Sequence, residues 1–168
     1  MKQVLKTLLL LLSLLAGLYA CKSESPYPDI QQLSYTLING KRLSMRELKG
    51  QPVIVTFWAT SCAACIKEIP DLIRLYKKYS HHGLEIIAVA TPNNRPDHVL
   101  EFSKEYNLPY RVALDVDAKI IQAFGNVRIT PNNFLIDTNG KIIKQHIGIL
   151  NMAKIDKWLQ STLSKGKQ

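Results

Sequence analysis

Two cysteines three positions apart are the residues of this chain best suited to chemistry. They form the segment Cys62-Ala63-Ala64-Cys65, which follows the apolar run Val53 to Trp58 and opens a helical pattern. A cysteine at a helix start lies near unpaired backbone N–H groups and the positive end of the helix dipole, which favour the thiolate. Because the thiolate is both the nucleophile and the metal ligand, the pair indicates either disulfide exchange or metal binding.

Strands and helices alternate along the chain and would position this pair. Hydrophobic periodicity predicts a hairpin around Asn39-Gly40, strands at 53–58, 84–90, 110–114, 134–137 and 141–147, and a helix over 62–79. Three further helices are predicted after capping residues Asp97, Asp117 and Asn151. This order predicts an α/β fold with a central mixed β-sheet flanked by helices on both faces and an N-terminal β-hairpin extension.

Residues 1–20 have the pattern of a secretory signal peptide. Lys2 and Lys6 give a positive start, and a short apolar core and small residues follow. The apolar core is shorter than the about 20 residues that a transmembrane helix needs. We therefore exclude residues 1–20 from the fold and expect the rest of the chain to be extracytoplasmic, on the periplasmic side.

Cys21 is the odd cysteine of three. The tetrad Leu18-Tyr19-Ala20-Cys21 resembles a bacterial lipobox, so Cys21 is the predicted lipidation site and the membrane is reached through a lipid anchor. Ordinary cleavage near Ala20, which would leave a free thiol, and an uncleaved anchor are the alternatives. The predicted divisions are a lipid-anchored tether at 21–30, a domain at 31–164 and a basic tail at 165–168.

The charge pattern argues against nucleic acid as a binding partner. The net charge is +9, and removal of Lys2 and Lys6 with the signal leaves +7. The basic residues are scattered, with only short clusters such as Lys77-Lys78, so the sequence predicts no nucleic-acid binding. Solubility and mild attraction to an anionic membrane face explain the excess charge.

Three separated segments carry a family resemblance. They are Phe57 to Pro70, with its Trp-Ala-Thr-x-Cys-x-x-Cys-x-x-Glu-x-Pro pattern, the lead-in Leu43 to Pro52, and Thr130 to Gly140. In this order they resemble the thioredoxin superfamily, and more narrowly the extracytoplasmic TlpA/ResA-type thiol–disulfide oxidoreductases. The resemblance covers roughly residues 27–163.

The resemblance implies a thioredoxin-like fold and a division of roles. Cys62 would be the attacking thiol and Cys65 the resolving thiol. Pro131 would follow a cis peptide bond, and Thr130, Pro131 and Trp58 would bind substrate, with the Thr130 backbone meeting an extended strand. The implied protein is a monomeric reductase of protein disulfides, with no cofactor or metal, that is re-reduced by a membrane electron donor of the DsbD/CcdA type.

Glu68 is the third predicted catalytic residue. It follows Cys65 by three positions, so both lie on one face of the helix. A carboxylate there could take the proton of Cys65 or raise the pKa of its thiol by like-charge repulsion. The resemblance implies such a tuning role. The alternative is an exposed glutamate that only complements the helix dipole.

Three departures from the family pattern leave substrate and redox potential open. Ser61 stands where an aromatic residue usually precedes the first cysteine. Thr56 stands where cytoplasmic thioredoxins have a buried aspartate. The pair Ala63-Ala64 has no proline, charge or histidine, and the residues between the cysteines strongly affect the potential.

Three other functions share parts of this pattern. A Sco-type copper-delivery protein would add a distant histidine such as His146, but that family places three residues between its cysteines. A peroxiredoxin would need proline where Val55 or Trp58 stands. A non-catalytic lipoprotein with a structural disulfide gains little from so short a loop.

Overall fold

A mixed β-sheet runs through the computed structural model, which describes Gln3 and residues 25–165. Its strand order in this part of the chain is β2-β1-β5-β4-β3-β6-β7. The pairs β3/β4 and β4/β5 are parallel, and the other neighbouring pairs are antiparallel. The strands are β1 (Ser34–Leu37), β2 (Arg42–Ser44), β3 (Val53–Trp58), β4 (Glu85–Ala90), β5 (Arg111–Leu114), β6 (Asn132–Ile136) and β7 (Ile142–Ile147).

Helices cover both faces of the sheet. They are α1 (Ala63–Tyr79), α2 (Pro96–Glu105), α3 (Lys119–Ala123) and α4 (Met152–Lys165), with 3-10 turns at Met45–Leu48 and Ser80–His82. Helices α1, α2 and α4 pack on one face, and α3 and the first 3-10 turn pack on the other. The predicted mixed sheet, the helices on both faces and the N-terminal hairpin are confirmed.

The central strand β3 is buried on both faces because two cores meet on it. Val53, Val55 and Phe57 point into the core that contains α3, whereas Ile54 and Trp58 point into the core that contains α1. This period-two alternation explains why the strand reads as a continuous apolar run. The strand ends at Trp58 and delivers the chain to the first cysteine.

The terminal predictions fall mostly outside the described residues. The signal segment 1–20, Cys21 and residues 22–24 lie outside them, as do residues 166–168 of the basic tail. Ile30 is 2% exposed, and the Tyr27 hydroxyl accepts a hydrogen bond from the Gln145 backbone N–H at 3.3 Å. The second half of the predicted tether therefore lies against the sheet. Within residues 25–165, no helix is long and apolar enough to cross a membrane.

Two of the predicted helix caps are wrong. Helix α2 begins at Pro96, so Asp97 lies in its first turn, and no side chain caps it. Proline suits this first position because its fixed φ matches the helix and its missing N–H would be unpaired anyway. Asn151 is confirmed, because its Oδ1 accepts the Lys154 backbone N–H at 3.1 Å.

The short helix α3 is held by Asp115 rather than by Asp117. The Asp115 carboxylate is 1% exposed and accepts the backbone N–H groups of Ile120 at 2.9 Å and Ile121 at 2.8 Å. Asp117 is exposed, forms an ion pair with the Lys119 side chain and accepts the Lys119 backbone N–H at 3.4 Å, a longer contact than either of those to Asp115. The buried carboxylate satisfies two of the N–H groups that a helix start leaves unpaired.

We therefore expect Asp115→Ala to lower the free energy of unfolding by about 2 kcal/mol, because two hydrogen bonds to a charged acceptor are lost. Asp117→Ala is the matched control and should cost under about 0.5 kcal/mol, since it breaks an exposed ion pair and one long, exposed hydrogen bond. Urea unfolding of both variants measures the difference. Equal losses would contradict the assignment.

Candidate active site

The two cysteines form a disulfide at the start of α1. Their Cα atoms are 5.2 Å apart. Cys62 is the N-cap residue, and its Sγ accepts a hydrogen bond from the Cys65 backbone N–H at 3.2 Å. The first cysteine thus lies where backbone donors and the helix dipole stabilise negative charge on sulfur.

The two sulfur-bearing residues differ in access to solvent. Cys62 is partly exposed, and Ser61, Ala63 and Ala64 around it are exposed and small. Cys65 is 3% exposed and belongs to the core beneath α1. A protein-sized disulfide therefore has a path to Cys62 and none to Cys65 in this arrangement.

The backbone segment that leads into Cys62 is held by hydrogen bonds to a residue far along the chain. Asn94 Oδ1 accepts hydrogen bonds from the Thr60 backbone N–H at 2.9 Å and the Thr60 hydroxyl at 3.1 Å. The Asn94 amide group in turn donates to the Thr91 carbonyl at 2.9 Å. Asn94 was not among the predicted site residues, because the sequence Thr91-Pro92-Asn93-Asn94 indicates only a loop.

A small cavity lies beneath Cys65. Its accessible volume is about 10 Å³, close to the minimum that one water molecule needs. Glu68 lines the same cavity as Cys65. The other lining residues are Thr56, Trp58, Ile69, Leu72, Ala88, Leu108 and Tyr110. The cavity brings the buried sulfur and the carboxyl group into one enclosed space.

Glu68 is buried, so it is not the exposed first-turn glutamate of the alternative interpretation. Its side chain is 1% exposed. Its Oε1 accepts the Leu150 backbone N–H at 2.7 Å and the Asn133 Nδ2–H at 3.4 Å. Burial raises the pKa of Glu68 above its ordinary value, and the two hydrogen bonds and the charge of His146 oppose part of that rise. Glu68 thus holds a proton at a higher pH than an exposed glutamate does.

The Thr130–Pro131 peptide bond is cis, as the resemblance implied. Pro131 immediately precedes β6, and the pairing of Asn132 with Phe57 puts this edge beside the end of β3. The Pro131 carbonyl accepts the Gly148 N–H at 2.8 Å. Within the described residues, the backbone N–H and carbonyl of Thr130 have no hydrogen-bond partner.

Trp58 lies inside the protein. It is 4% exposed, its ring centroid is 5.1 Å from that of Phe102, and its buried Nε1 has no hydrogen-bond partner among the residues that the structure describes. It forms a wall of the cavity under Cys65. Its predicted contact with substrate stays a prediction.

The histidine of the copper alternative is engaged elsewhere. His146 Nε2 lies 2.9 Å from the Ile149 carbonyl oxygen, to which it must donate. Across Gln3 and residues 25–165, no group of three or more His, Cys, Asp or Glu side chains is arranged to hold a metal ion.

Comparison with known proteins gives consistent matches. A family model described as Redoxin matches residues 22–159. The thiol–disulfide oxidoreductase ResA of Bacillus cereus (strain ZK / E33L) is 38% identical over 125 residues, which cover 74% of this chain and 71% of that protein. ResA of Halalkalibacterium halodurans is 32% identical over 124 residues, which cover 73% of this chain and 69% of that protein.

Solved structures agree with these sequence matches. A thioredoxin-family thiol:disulfide interchange protein from Chlorobium tepidum TLS is 27% identical, with a TM-score of 0.74 over 84% of this chain and 99% of that one. StoA from Bacillus subtilis is 25% identical, with a TM-score of 0.67 over 78% of this chain and 98% of that one.

Proposed function

We propose a reaction path for this chain, which belongs to the Redoxin family and is a thiol–disulfide oxidoreductase. In the proposed direction it reduces disulfide bonds in proteins. One observation supports this reaction path most directly. Cys62, which is partly exposed at a helix start, is bonded to a buried Cys65 that shares a cavity with Glu68.

The proposed reaction has two exchange steps. The reduced Cys62 thiolate attacks one sulfur of a substrate disulfide, forms a mixed disulfide and releases the other substrate sulfur as a thiolate, which takes a proton from solvent. Cys65 then loses its proton and attacks Cys62, which breaks the mixed disulfide and releases the second substrate sulfur. Two electrons pass to the substrate, and the Cys62–Cys65 disulfide remains.

Glu68 is the proposed acceptor of the Cys65 proton. Both of its hydrogen bonds reach Oε1 and come from groups that donate, the Leu150 N–H and the Asn133 amide. Oε1 is therefore saturated as an acceptor, and the incoming proton belongs on Oε2. One water molecule in the cavity would connect Oε2 with the Cys65 sulfur. Thr56, which also lines the cavity, has no acidic group that could compete.

The edge at Thr130 is the proposed substrate-docking site. The Thr130 backbone N–H and carbonyl, which have no partner among residues 25–165, could pair with an extended substrate segment as an added strand. The neighbouring Ile129 is 58% exposed and offers apolar contact area to such a segment. Backbone pairing is tolerant of side chains, which suits an enzyme that acts on protein disulfides.

The proposed location is extracytoplasmic, on the periplasmic side, with a lipid anchor at Cys21. The signal pattern of residues 1–20 and the tetrad ending in Cys21 support it. An oxidising compartment would reoxidise a reductase, so the proposal includes a membrane electron donor of the DsbD/CcdA type that reduces the Cys62–Cys65 disulfide again. The proposed working unit is a monomer.

The test measures turnover in both directions. The purified full chain is mixed with a disulfide-bonded peptide that carries a fluorophore and a quencher, with dithiothreitol as reductant. We expect the chain to accelerate reduction of the peptide more than it accelerates oxidation of the dithiol peptide by glutathione disulfide. Faster oxidation would overturn the proposed direction, and no acceleration of either reaction would overturn the path.

A further inference from the structure

One short turn touches both halves of the proposed site. Residues 148–150 follow β7, and Gly148 has a φ of +95°, a conformation that favours glycine. At one end the Gly148 N–H donates to the Pro131 carbonyl at 2.8 Å. At the other end the Leu150 N–H donates to Glu68 Oε1 at 2.7 Å. The turn thus connects the docking edge to the buried carboxyl group.

Asn133 holds the turn and the carboxyl group together. It is fully buried, and its Nδ2 donates to the Gly148 carbonyl at 3.0 Å as well as to Glu68. The orientation of the amide is fixed, because a carbonyl can only accept a hydrogen bond. This geometry leaves Asn133 Oδ1 buried without a partner in the described part of the chain.

His146 holds the middle of the same turn. Its Nε2 donates to the Ile149 carbonyl at 2.9 Å. His146 is also the cross-strand partner of Asn133 in the β6/β7 register. The two side-chain hydrogen bonds to backbone carbonyls of the turn, at Gly148 and Ile149, therefore come from one pair of opposed residues on neighbouring strands.

We propose that Asn133 and His146 are positioning residues for disulfide exchange, which together fix the turn so that it aligns Glu68 with the docking edge. The inference rests on the proposed function of Glu68 and Pro131. Neither residue touches the reacting sulfur atoms in this account; both act through the backbone of residues 148–150 and, for Asn133, through the carboxyl group.

The unpaired Asn133 Oδ1 supports a role beyond filling the core. A buried acceptor without a partner destabilises the fold, a penalty that an apolar side chain of similar size would not incur. The amide nitrogen of Asn133 explains why that cost is tolerated, since it bridges two acceptors that no apolar side chain could join.

The ionisable groups around Glu68 come from several elements. Asp71 lies on the same helix and raises the pKa of Glu68, whereas the charge of His146 on β7 lowers it. Tyr110, just before β5, lines the cavity with Cys65. Any titration of Glu68 must therefore be compared with variants that leave these groups in place.

The first experiment follows the Glu68 carboxyl carbon by NMR as a function of pH in the full chain. We expect Asn133→Leu to raise the pKa of Glu68, because a donor to its carboxylate is lost, and to slow disulfide exchange about tenfold at pH 7. Asn132→Leu is the matched control. Asn132 is also a buried asparagine of β6, but its Oδ1 accepts from Gln145 and it has no contact with Glu68. The pKa of Glu68 should not move in that control.

The second experiment asks whether Asn133 acts through Glu68. In the Glu68→Gln background, Asn133→Leu should slow exchange by less than about twofold, because coupled residues are not additive. An unmoved pKa of Glu68, or the same rate loss in both backgrounds, would overturn the inference. If Asn133→Leu fails to fold, Asn133→Thr suits a strand, is too short to bridge both acceptors, and carries the same predictions.

The third experiment isolates the hydrogen bond of His146 from its charge. His146→Leu should slow exchange about fivefold, and His146→Gln, whose amide donates a hydrogen bond and carries no charge, should restore the rate to within about twofold. Gln145→Leu, one position earlier on β7, is the control. Equal losses in His146→Leu and His146→Gln would overturn the role of His146.

The NMR titration needs no turnover, so absence of activity in the unmodified chain would refute the proposed function while still deciding whether Asn133 positions Glu68.

Discussion

Cys62→Ser is expected to abolish disulfide exchange, with a loss on the order of 10³-fold or more, because a hydroxyl cannot replace the attacking thiolate. The fluorescent disulfide peptide measures this loss. Unfolding of Cys62→Ser should match that of the reduced, unmodified chain, since both lack the disulfide. A variant that is as stable as that reference but still turns over would show that Cys62 is not the nucleophile.

Cys65→Ser should fail at a different step. Its Cys62 can still attack a substrate, but the buried serine cannot resolve the mixed disulfide, so turnover should stop while the mixed disulfide accumulates. The exposure difference between the two residues is the physical basis for this asymmetry. Identical behaviour of the two variants would contradict the division of roles.

Glu68→Gln is the second change with a large expected effect. We expect exchange to slow about 10²-fold at neutral pH, because the amide keeps the shape of the side chain but cannot accept the Cys65 proton. The part of the pH–rate profile that reports ionisation of Glu68 should also disappear. The exposed acid Glu101 on α2 gives the control Glu101→Gln, which should keep the rate of the unmodified chain. A rate for Glu68→Gln within about twofold of the unmodified rate would remove Glu68 from the mechanism.

The same substitution has a predictable effect on stability. The folded protein binds the Glu68 proton more tightly than the unfolded chain does, because burial raises the pKa of Glu68. The stabilisation from that proton is complete below the ordinary pKa of glutamate and is lost as the pH rises through the folded value. Unfolding experiments across this range should show a fall in stability that Glu68→Gln flattens. A profile that Glu68→Gln leaves unchanged would show that burial does not raise this pKa.

Features set by local sequence could be predicted well. The β3 run shows unbroken apolar character because cores lie on both of its faces, and Cys62 caps α1 as its position before a helical pattern indicated. The Asn39-Gly40 turn likewise identified the β1/β2 hairpin. These features depend on residues close together in the chain, so a single sequence is enough to recognise their patterns.

Features set by distant contacts could not be predicted. The burial of Glu68 depends on the Leu150 N–H, 82 positions away, and on Asn133, 65 positions away. Helical spacing placed Glu68 on the face of Cys65 but could not show whether that face was exposed. The cap of α3 failed for a related reason: Asp117 has the better local spacing, but the preceding Asp115 is buried and reaches further into the helix.

The central claim is that Cys62 attacks a substrate disulfide and Cys65 resolves the intermediate. It is tested most directly by incubating the reduced Cys65→Ser full chain with the disulfide peptide and mapping the linked cysteines by mass spectrometry under non-reducing conditions. We expect the peptide to be bonded to Cys62 through a disulfide that dithiothreitol releases. Absence of any bonded peptide, or a peptide bonded only to Cys21, would contradict it.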